Sequence, residues 1–377
     1  MKVKLPGLRA FDFYAQELGY DYALVNSLHR SPQLKDFLTD LDPEMSLNWS
    51  KKSFYGLPEL RERIVATQEY EVAAENVFVT TGTNEANFLL MMQTVGQGDE
   101  VITDVPGWPQ PFTICESLGA NVHAIRRLAK DDWRLDLQEL SDMVSDKTRM
   151  IFLSSPNNPT GAVFSEQEMM EVCEIARSVD AYLVCDEIYR GLEWDDNLSP
   201  AAVNYYEKAI STGGISKSTG LQGIRIGWMA SQDKGLLEDC NVLRIQSTQV
   251  ANVFGEHVAL AALQPVRYKQ LLSGAKSHGR ENWRVVSDWI DAQAEFSWIK
   301  PKAGFLAFPS YNLNIDSDSF CKGLLAEPYR TYLRPGSAYG FEKHLRLGVG
   351  QYEIIEIREA LSRITAFVKS LSNRSSN

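Results

Sequence analysis

From about residue 77 onward, short apolar runs alternate with longer stretches whose apolar residues recur at helical spacing. NVFVTT precedes the helix candidate NEANFLLMMQTV; DEVITDV, NVHAIRR and the helix LQELSDMVSD follow, then RMIFLSS, the helix SEQEMMEVCEIARSV, AYLVCDE and GWMAS. Runs of this length, rich in Val, Ile, Leu and Phe and bounded by turn residues, predict strands buried on both faces. Their alternation with helices predicts an α/β fold, a mostly parallel sheet sandwiched between helices.

The last third reads differently. A long helical stretch near 250–292 leads into AEFSWIKPKAGFLAFPSY, TYLRP and HLRLGVG, and QYEIIEIREALSRITAFVKSL closes the pattern as a helix. That mixture predicts a smaller α+β domain. The expected division is a large domain over 46–275, with 1–45 and 276–377 forming the second. Residues 1–45 carry no sheet signal of their own and are expected to pack on the second domain or line the cleft.

Composition narrows the classes. At 377 residues the chain can bury a large core, and 44% hydrophobic with 23% charged residues is an ordinary globular balance. A formal net charge of −11 argues against a nucleic-acid surface, which needs clustered Lys and Arg. No run of about 18 apolar residues exists, so no membrane span is expected. The N-terminal MKVKLPGLRAFDFYAQ lacks the apolar stretch of a signal peptide. Cysteines 115, 173, 185, 240 and 321 are isolated, which fits a reducing cytoplasm better than a disulfide framework. The five histidines share no metal-ligand spacing, so no metal is expected.

The candidate chemistry lies where strands end, the edge at which such sheets bind ligands. TTGTNEA places Gly82, Thr83 and Asn84 between a strand and a helix, where free N–H groups favour an anion. VPGWPQPF sets Trp108 in a proline-held turn, able to offer a face to a flat ring. SSPNNPTG puts Asn158 in a rigid turn with an amide to donate. LVCDEIYRG ends an apolar strand at Asp186, a carboxylate that needs a cationic partner, with Tyr189 three positions on. GGISKSTGLQGIRIGW holds Lys217 and, eight positions later, Arg225. A phosphate-cradling P-loop would need glycine where Ser216 and Ser211 stand, so that reading fails. A partly desolvated lysine amine forms Schiff bases with aldehydes instead. Each piece alone has a plain structural reading as a cap, a core residue or a loop. Together they offer one group for each part of pyridoxal 5′-phosphate. Lys217 suits its aldehyde, Asn158 and Tyr189 its phenolate, Asp186 its pyridinium, Trp108 its ring, and Arg225 with the 82–84 turn its phosphate.

With those residues in view, the chain resembles the class I and II, fold-type I pyridoxal-phosphate aminotransferases over roughly residues 50–365. GLPELRERI, TTGTNEA, PGWPQP, SSPNNPTG, DEIY, SKSTGLQGIRIGW, AGF and LRLG occur in that family's order. The resemblance implies Lys217, Asp186 and Tyr189 as the catalytic set. Gly82, Thr83, Asn84, Trp108, Asn158 and Arg225 join them in holding the cofactor. Arg346, in HLRLGVG, matches the arginine that grips the substrate α-carboxylate, with Asn158 beside it. The implied activity is transfer of an amino group from an L-amino acid to a 2-oxo acid, by a homodimer.

Three positions depart from the family pattern. Gly214 stands where a serine hydroxyl often meets phosphate, leaving Thr212 or Ser216 to supply that contact. Lys51 replaces a tyrosine that reaches a neighbouring subunit, with Trp49 and Tyr55 nearby. The early glycine-and-proline segment is not recognisable in YDYALVNSLHRSPQLKDF. FDFYAQELGYDY is somewhat similar to capreomycidine-synthase-like cyclases, and its Asp12, Glu17 and Asp21 could meet a guanidinium. Elimination and ring closure on an arginine-derived amino acid is therefore the second expectation. A binding module without turnover is the third, disfavoured by the presence of Lys217, Asp186 and Arg346 together.

Overall fold

Valine, isoleucine and phenylalanine crowd the short runs that separate the helices, and burying them on both faces builds one seven-stranded sheet. The structure, a computed structural model, describes Leu5, residues 19–49 and residues 54–375. Two short strands come first, β1 (Tyr22–Ala23) and β2 (Val25–Asn26). The large sheet is made of β3 (Val77–Thr80), β4 (Glu100–Val105), β5 (Asn121–Arg126), β6 (Thr148–Ser154), β7 (Tyr182–Asp186), β8 (Ala209–Gly214) and β9 (Gly227–Ser231). Their order is β3-β9-β8-β7-β6-β4-β5. β9 runs antiparallel to both neighbours, and the other pairs are parallel.

The helices lie on both faces: α1 (Pro58–Gln68), α2 (Thr83–Thr94), α3 (Gln110–Ser117), α4 (Leu137–Met143), α5 (Glu166–Ser178), the short α6 (Ile215–Ser218), α7 (Lys234–Ile245), α8 (Val253–Ala262) and α9 (Pro265–Asp291). Alternation along β6 shows the sandwich. Met150 and Phe152 face Leu89 and Leu90 of α2, while Ile151 and Leu153 face Met169, Val172 and Ala176 of α5.

The remaining elements are β10 (Phe296–Ser297), β11 (Leu306–Ala307), β12 (Ser310–Tyr311), α10 (Ser317–Leu325), β13 (Thr331–Tyr332), β14 (Arg334–Pro335), β15 (Leu345–Val349) and α11 (Ile354–Ser375). β15 is the hub of a four-stranded sheet, pairing with β11, β14 and β2. Its core joins Leu24 to Trp283, Val286, Phe320, Leu347 and Leu361, so part of the N-terminal segment packs with the C-terminal elements.

Two elements differ from the sequence expectation. AISTGG forms β8, a central strand, although four of its six residues are Ser, Thr or Gly. Its polar side chains are buried because neighbours satisfy them: Thr212 donates to Asn87 Oδ1 at 2.9 Å and Ser211 to Glu187 Oε1 at 2.5 Å. The stretch 250–292 is two helices, not one, because Pro265 cannot continue the ladder and opens a new helix at its first position. Position 275 lies inside the second of these, α9.

One buried ion pair places the loop after β6. Arg127 Nε meets Asp104 Oδ2 at 2.8 Å, and both side chains are almost fully enclosed. Asn157 donates to the same carboxylate oxygen at 3.1 Å, and also to Pro106 O at 3.2 Å and Ser154 Oγ at 2.9 Å. The SSPNNPTG turn is thereby fastened to the end of β4. Asp104→Ala would strand a buried guanidinium and an amide together. The expected loss is about 3–5 kcal/mol, read as a lower denaturation midpoint; a midpoint within experimental error of wild type would contradict it.

Candidate active site

The carboxyl ends of β6, β7 and β8 open onto one cavity of about 370 Å³. Thr83, Asn84, Trp108, Asn158, Asp186, Tyr189, Lys217, Arg225 and Arg346 all line it. Gly82 sits just behind, at the N-cap of α2 with φ +83°. A Cβ there would run into the Arg225 guanidinium, so glycine lets the arginine lie against the helix N-terminus. Two positive features, the guanidinium and the free N–H end of α2, thus face the same corner. Trp108 Nε1 donates to Gln110 Oε1 at 3.3 Å, and Gln110 in turn donates to Asn84 O at 3.1 Å. The aromatic ring and the anion corner are held by one chain of contacts.

Asp186 ends β7, buried to 6% exposure. Its Oδ2 accepts from Asn87 Nδ2 at 2.9 Å and its Oδ1 from Ile188 N at 3.1 Å. Burial pushes its carboxyl up to about 6, while those two hydrogen bonds and Lys217 pull the other way. At neutral pH it therefore stays largely ionised and can face a cationic nitrogen.

Lys217 lies in α6, immediately after β8. It is half-buried because its side chain looks into the cavity, yet protein closes around it. Its Nζ donates to Ser27 Oγ at 2.6 Å and lies 5.7 Å from the centroid of the Tyr189 ring. Burial first, then Arg346, Arg334 and Arg225, bring its amine down to about 7, against the opposing pull of Asp186. Tyr189 is buried, and burial pushes its phenol up to about 12.

On the substrate side, Arg346 is buried on β15 and donates from Nη1 to Tyr339 Oη at 2.9 Å, while its Nε has no partner. Arg334 stands directly opposite it on β14 and also lines the cavity. Asn158 Oδ1 is likewise buried without a partner. Two unsatisfied buried polar atoms on the walls of one cavity are what a site shaped for a polar ligand presents. An aldehyde could meet the amine, a ring cation the carboxylate, and a phosphate the Arg225 corner. Among the described residues no group of three His, Cys, Asp or Glu side chains could hold a metal ion, and no helix is long and apolar enough to cross a membrane.

The departures noted in the sequence have physical explanations. A Cβ at Gly214 would lie 2.9 Å from Thr83 Oγ1 and 3.0 Å from Ile226 O, so a serine there would have to displace both neighbours. Thr212 spends its hydroxyl on Asn87, whereas Ser216 lines the cavity. Lys51, Asp12 and Glu17 lie outside the described residues. Trp49 stacks edge-on against Phe54 at 5.5 Å, and Tyr55 packs on Phe78 at 5.5 Å. Asp21 meets two guanidinium groups of its own chain, Arg330 at 3.0 Å and Arg363 at 2.6 Å, instead of facing the cavity.

Sequence reasoning missed Asn87, Ser27 and Arg334. Asn87 was findable, because it follows Thr83 by four positions on one helix face. Ser27 carried no such signal, since only the folding of a distant segment brings it to Lys217.

The family model described as aminotransferase class I and II matches residues 51–364. The aspartate aminotransferase of Thermotoga maritima is 27% identical over 321 residues, 84% of this chain and 82% of that protein. A probable aspartate aminotransferase of Methanocaldococcus jannaschii is 30% identical over 295 residues, 76% of each. The glutamate-pyruvate aminotransferase of Escherichia coli is 26% identical over 358 residues, 89% of this chain and 85% of that one. Among solved structures, a PLP-dependent aminotransferase from Streptococcus suis matches with a TM-score of 0.88 at 27% identity, covering 98% of this chain and 99% of that chain.

A base whose pKa is lowered gives up its proton at lower pH. In cofactor-free protein, acetylation of Lys217 should therefore reach half its maximum near pH 7, while exposed lysines do so above about pH 10. Peptide mass spectrometry across a pH series reads this directly; a Lys217 midpoint among the surface lysines would refute it.

Proposed function

Because this chain belongs to the aminotransferase class I and II family, we propose that its cavity holds pyridoxal 5′-phosphate and transfers an amino group between an L-amino acid and a 2-oxo acid. The chain is an aminotransferase, with the fold-type I architecture of its structural relatives. The observation that carries the cofactor assignment is the meeting, on one cavity, of a lysine amine lowered to about 7 with a buried carboxylate and an arginine-capped helix N-terminus.

The residues present fit the group. Lys217 would hold its aldehyde carbon, Asp186 its ring nitrogen, and Asn158 with Tyr189 its phenolic oxygen. Trp108 would cover the ring, and Gly82, Thr83, Asn84 and Arg225 would take the phosphate. When bound, the cofactor supplies an electron sink that makes the substrate Cα proton acidic. The chain's own part is to place and move protons. Arg346 grips the substrate α-carboxylate with a planar fork, with Asn158 alongside. That grip would orient the Cα–H bond, and Lys217 Nζ, freed once the substrate amine takes its place on the aldehyde carbon, would serve as the base that accepts and returns that proton. The hydrogen bonds that Asn87 and Ile188 N donate to Asp186 favour its charged form.

The amino donor we favour is an acidic amino acid. Two relatives are named aspartate aminotransferases, and Arg334 beside Arg346 adds a second guanidinium to the cavity wall. Elimination on an arginine-derived substrate loses its support at Asp21, whose carboxylate is engaged by Arg330 and Arg363.

We also infer two domains, 46–275 and the union of 1–45 with 276–377; the core that joins Leu24 to Phe320 and Leu347 supports the second, although Phe37 and Leu41 pack on the core of the first. A homodimer is in keeping with exposed large apolar side chains at Leu34, Leu38, Val242 and Ile245. Five buried free thiols suit a reducing cytoplasm.

Two measurements test the reading. Incubation with L-aspartate or L-glutamate should yield the matching oxo acid only when a second 2-oxo acid is supplied; product without an acceptor would overturn transamination. Arg346→Ala should lower kcat/KM by about 10- to 150-fold, the worth of a charged hydrogen bond, whereas an unchanged value would remove Arg346 from the substrate site.

A further inference from the structure

Val25–Leu28 borders the cavity in a stretch where the family pattern is not recognisable. Its course is pinned from two sides. β2 pairs in parallel with β15, Val25 with Gly348 and Asn26 with Val349. On the opposite flank, His29 Nε2 lies 3.3 Å from Ser218 O. Gly220 is the reason this approach is possible. A Cβ there would lie 2.7 Å from Arg30 O and 2.9 Å from His29 Cε1. Between these anchors Ser27 is buried with its side chain at the cavity wall.

Ser27 Oγ accepts from Lys217 Nζ at 2.6 Å, and the same amine lies 5.7 Å from the centroid of the Tyr189 ring. The other charged or titratable groups facing the amine are Asp186 from β7, Arg225 from the turn before β9, Arg334 from β14 and Arg346 from β15. Asp186 already spends one oxygen on Asn87 and the other on Ile188 N. A lysine stem has four rotatable bonds and needs a partner to hold one direction.

We propose that Ser27 is a positioning residue for Lys217, its hydroxyl aiming the free amine across the cavity wall beside Tyr189. The assignment rests on Lys217 being the reacting amine. A hydroxyl that accepts from the amine favours its charged form. Removing that acceptor therefore lowers the midpoint of the amine still further.

The test is the pH series of Lys217 acetylation in the full-length chain without cofactor, for wild type, Ser27→Ala and Ser27→Thr. Ser27→Ala should move the midpoint down by about one pH unit, the size expected for one hydrogen bond to a charged group. Ser27→Thr, which keeps the hydroxyl, should stay with wild type. No shift in a folded Ser27→Ala chain overturns the proposal, as does an equal shift in both variants, which would trace to packing. Circular dichroism reports folding, and Ser27→Gly replaces the alanine variant should that chain not fold. Borohydride reduction of wild type with pyridoxal 5′-phosphate is read separately. A missing pyridoxyl adduct at Lys217 would sink the proposed function, whereas the midpoint series decides Ser27 with no cofactor present.

Discussion

An amine placed among guanidinium groups at the wall of a cavity sets the terms for everything around it. Burial disfavours its ammonium form, and Arg346, Arg334 and Arg225 disfavour it further. One carboxylate, Asp186, opposes them. Asp186 is itself buried and would tend to take up a proton. Its charge survives because Asn87 and the Ile188 amide donate to it. The lysine thus depends on the carboxylate, and the carboxylate depends on two amides that do not titrate, the Asn87 side chain and the Ile188 backbone.

Topology explains why these groups can meet. β7 and β8 run parallel, with Asp186 opposite Thr212, so both strands deliver their chains to the same edge of the sheet. Asp186 ends one strand, and the other continues directly into the turn bearing Lys217. Asn87 spans the two, donating to Asp186 and accepting from Thr212. β6 adds the Asn158 loop at that edge, moored through Asn157 to the Arg127–Asp104 pair. On this side the cavity is built from strand ends and the first turns of helices, while Val25–Leu28, Arg334 and Arg346 close it from the other.

How far the residues announced this arrangement depended on whether a local pattern carried the information. Asp186 and Lys217 were legible because an apolar strand ending in a carboxylate, and a lysine among small residues, are unusual locally and make chemical sense as a pair. β3 to β7 and β9 were legible from runs of branched and aromatic residues. β8 was not, since AISTGG looks like a loop until Asn87 and Glu187 are seen to satisfy its hydroxyls. The break before Pro265 could have been read from that proline, but the apolar spacing on either side masked it. Ser27 and Arg334 were beyond local reading altogether. Each owes its place to pairing with β15 across more than ten residues of sequence separation.

β15 carries Arg346 near its start and, at its far end, holds the short strand that leads to Ser27. Two walls of the cavity are therefore measured from a single ruler. Shifting β2 by one residue along it would turn every side chain of that segment to the other face, and the hydroxyl would swing out of reach of the lysine. An insertion or deletion between residues 22 and 27 would displace that hydroxyl even with every side chain kept.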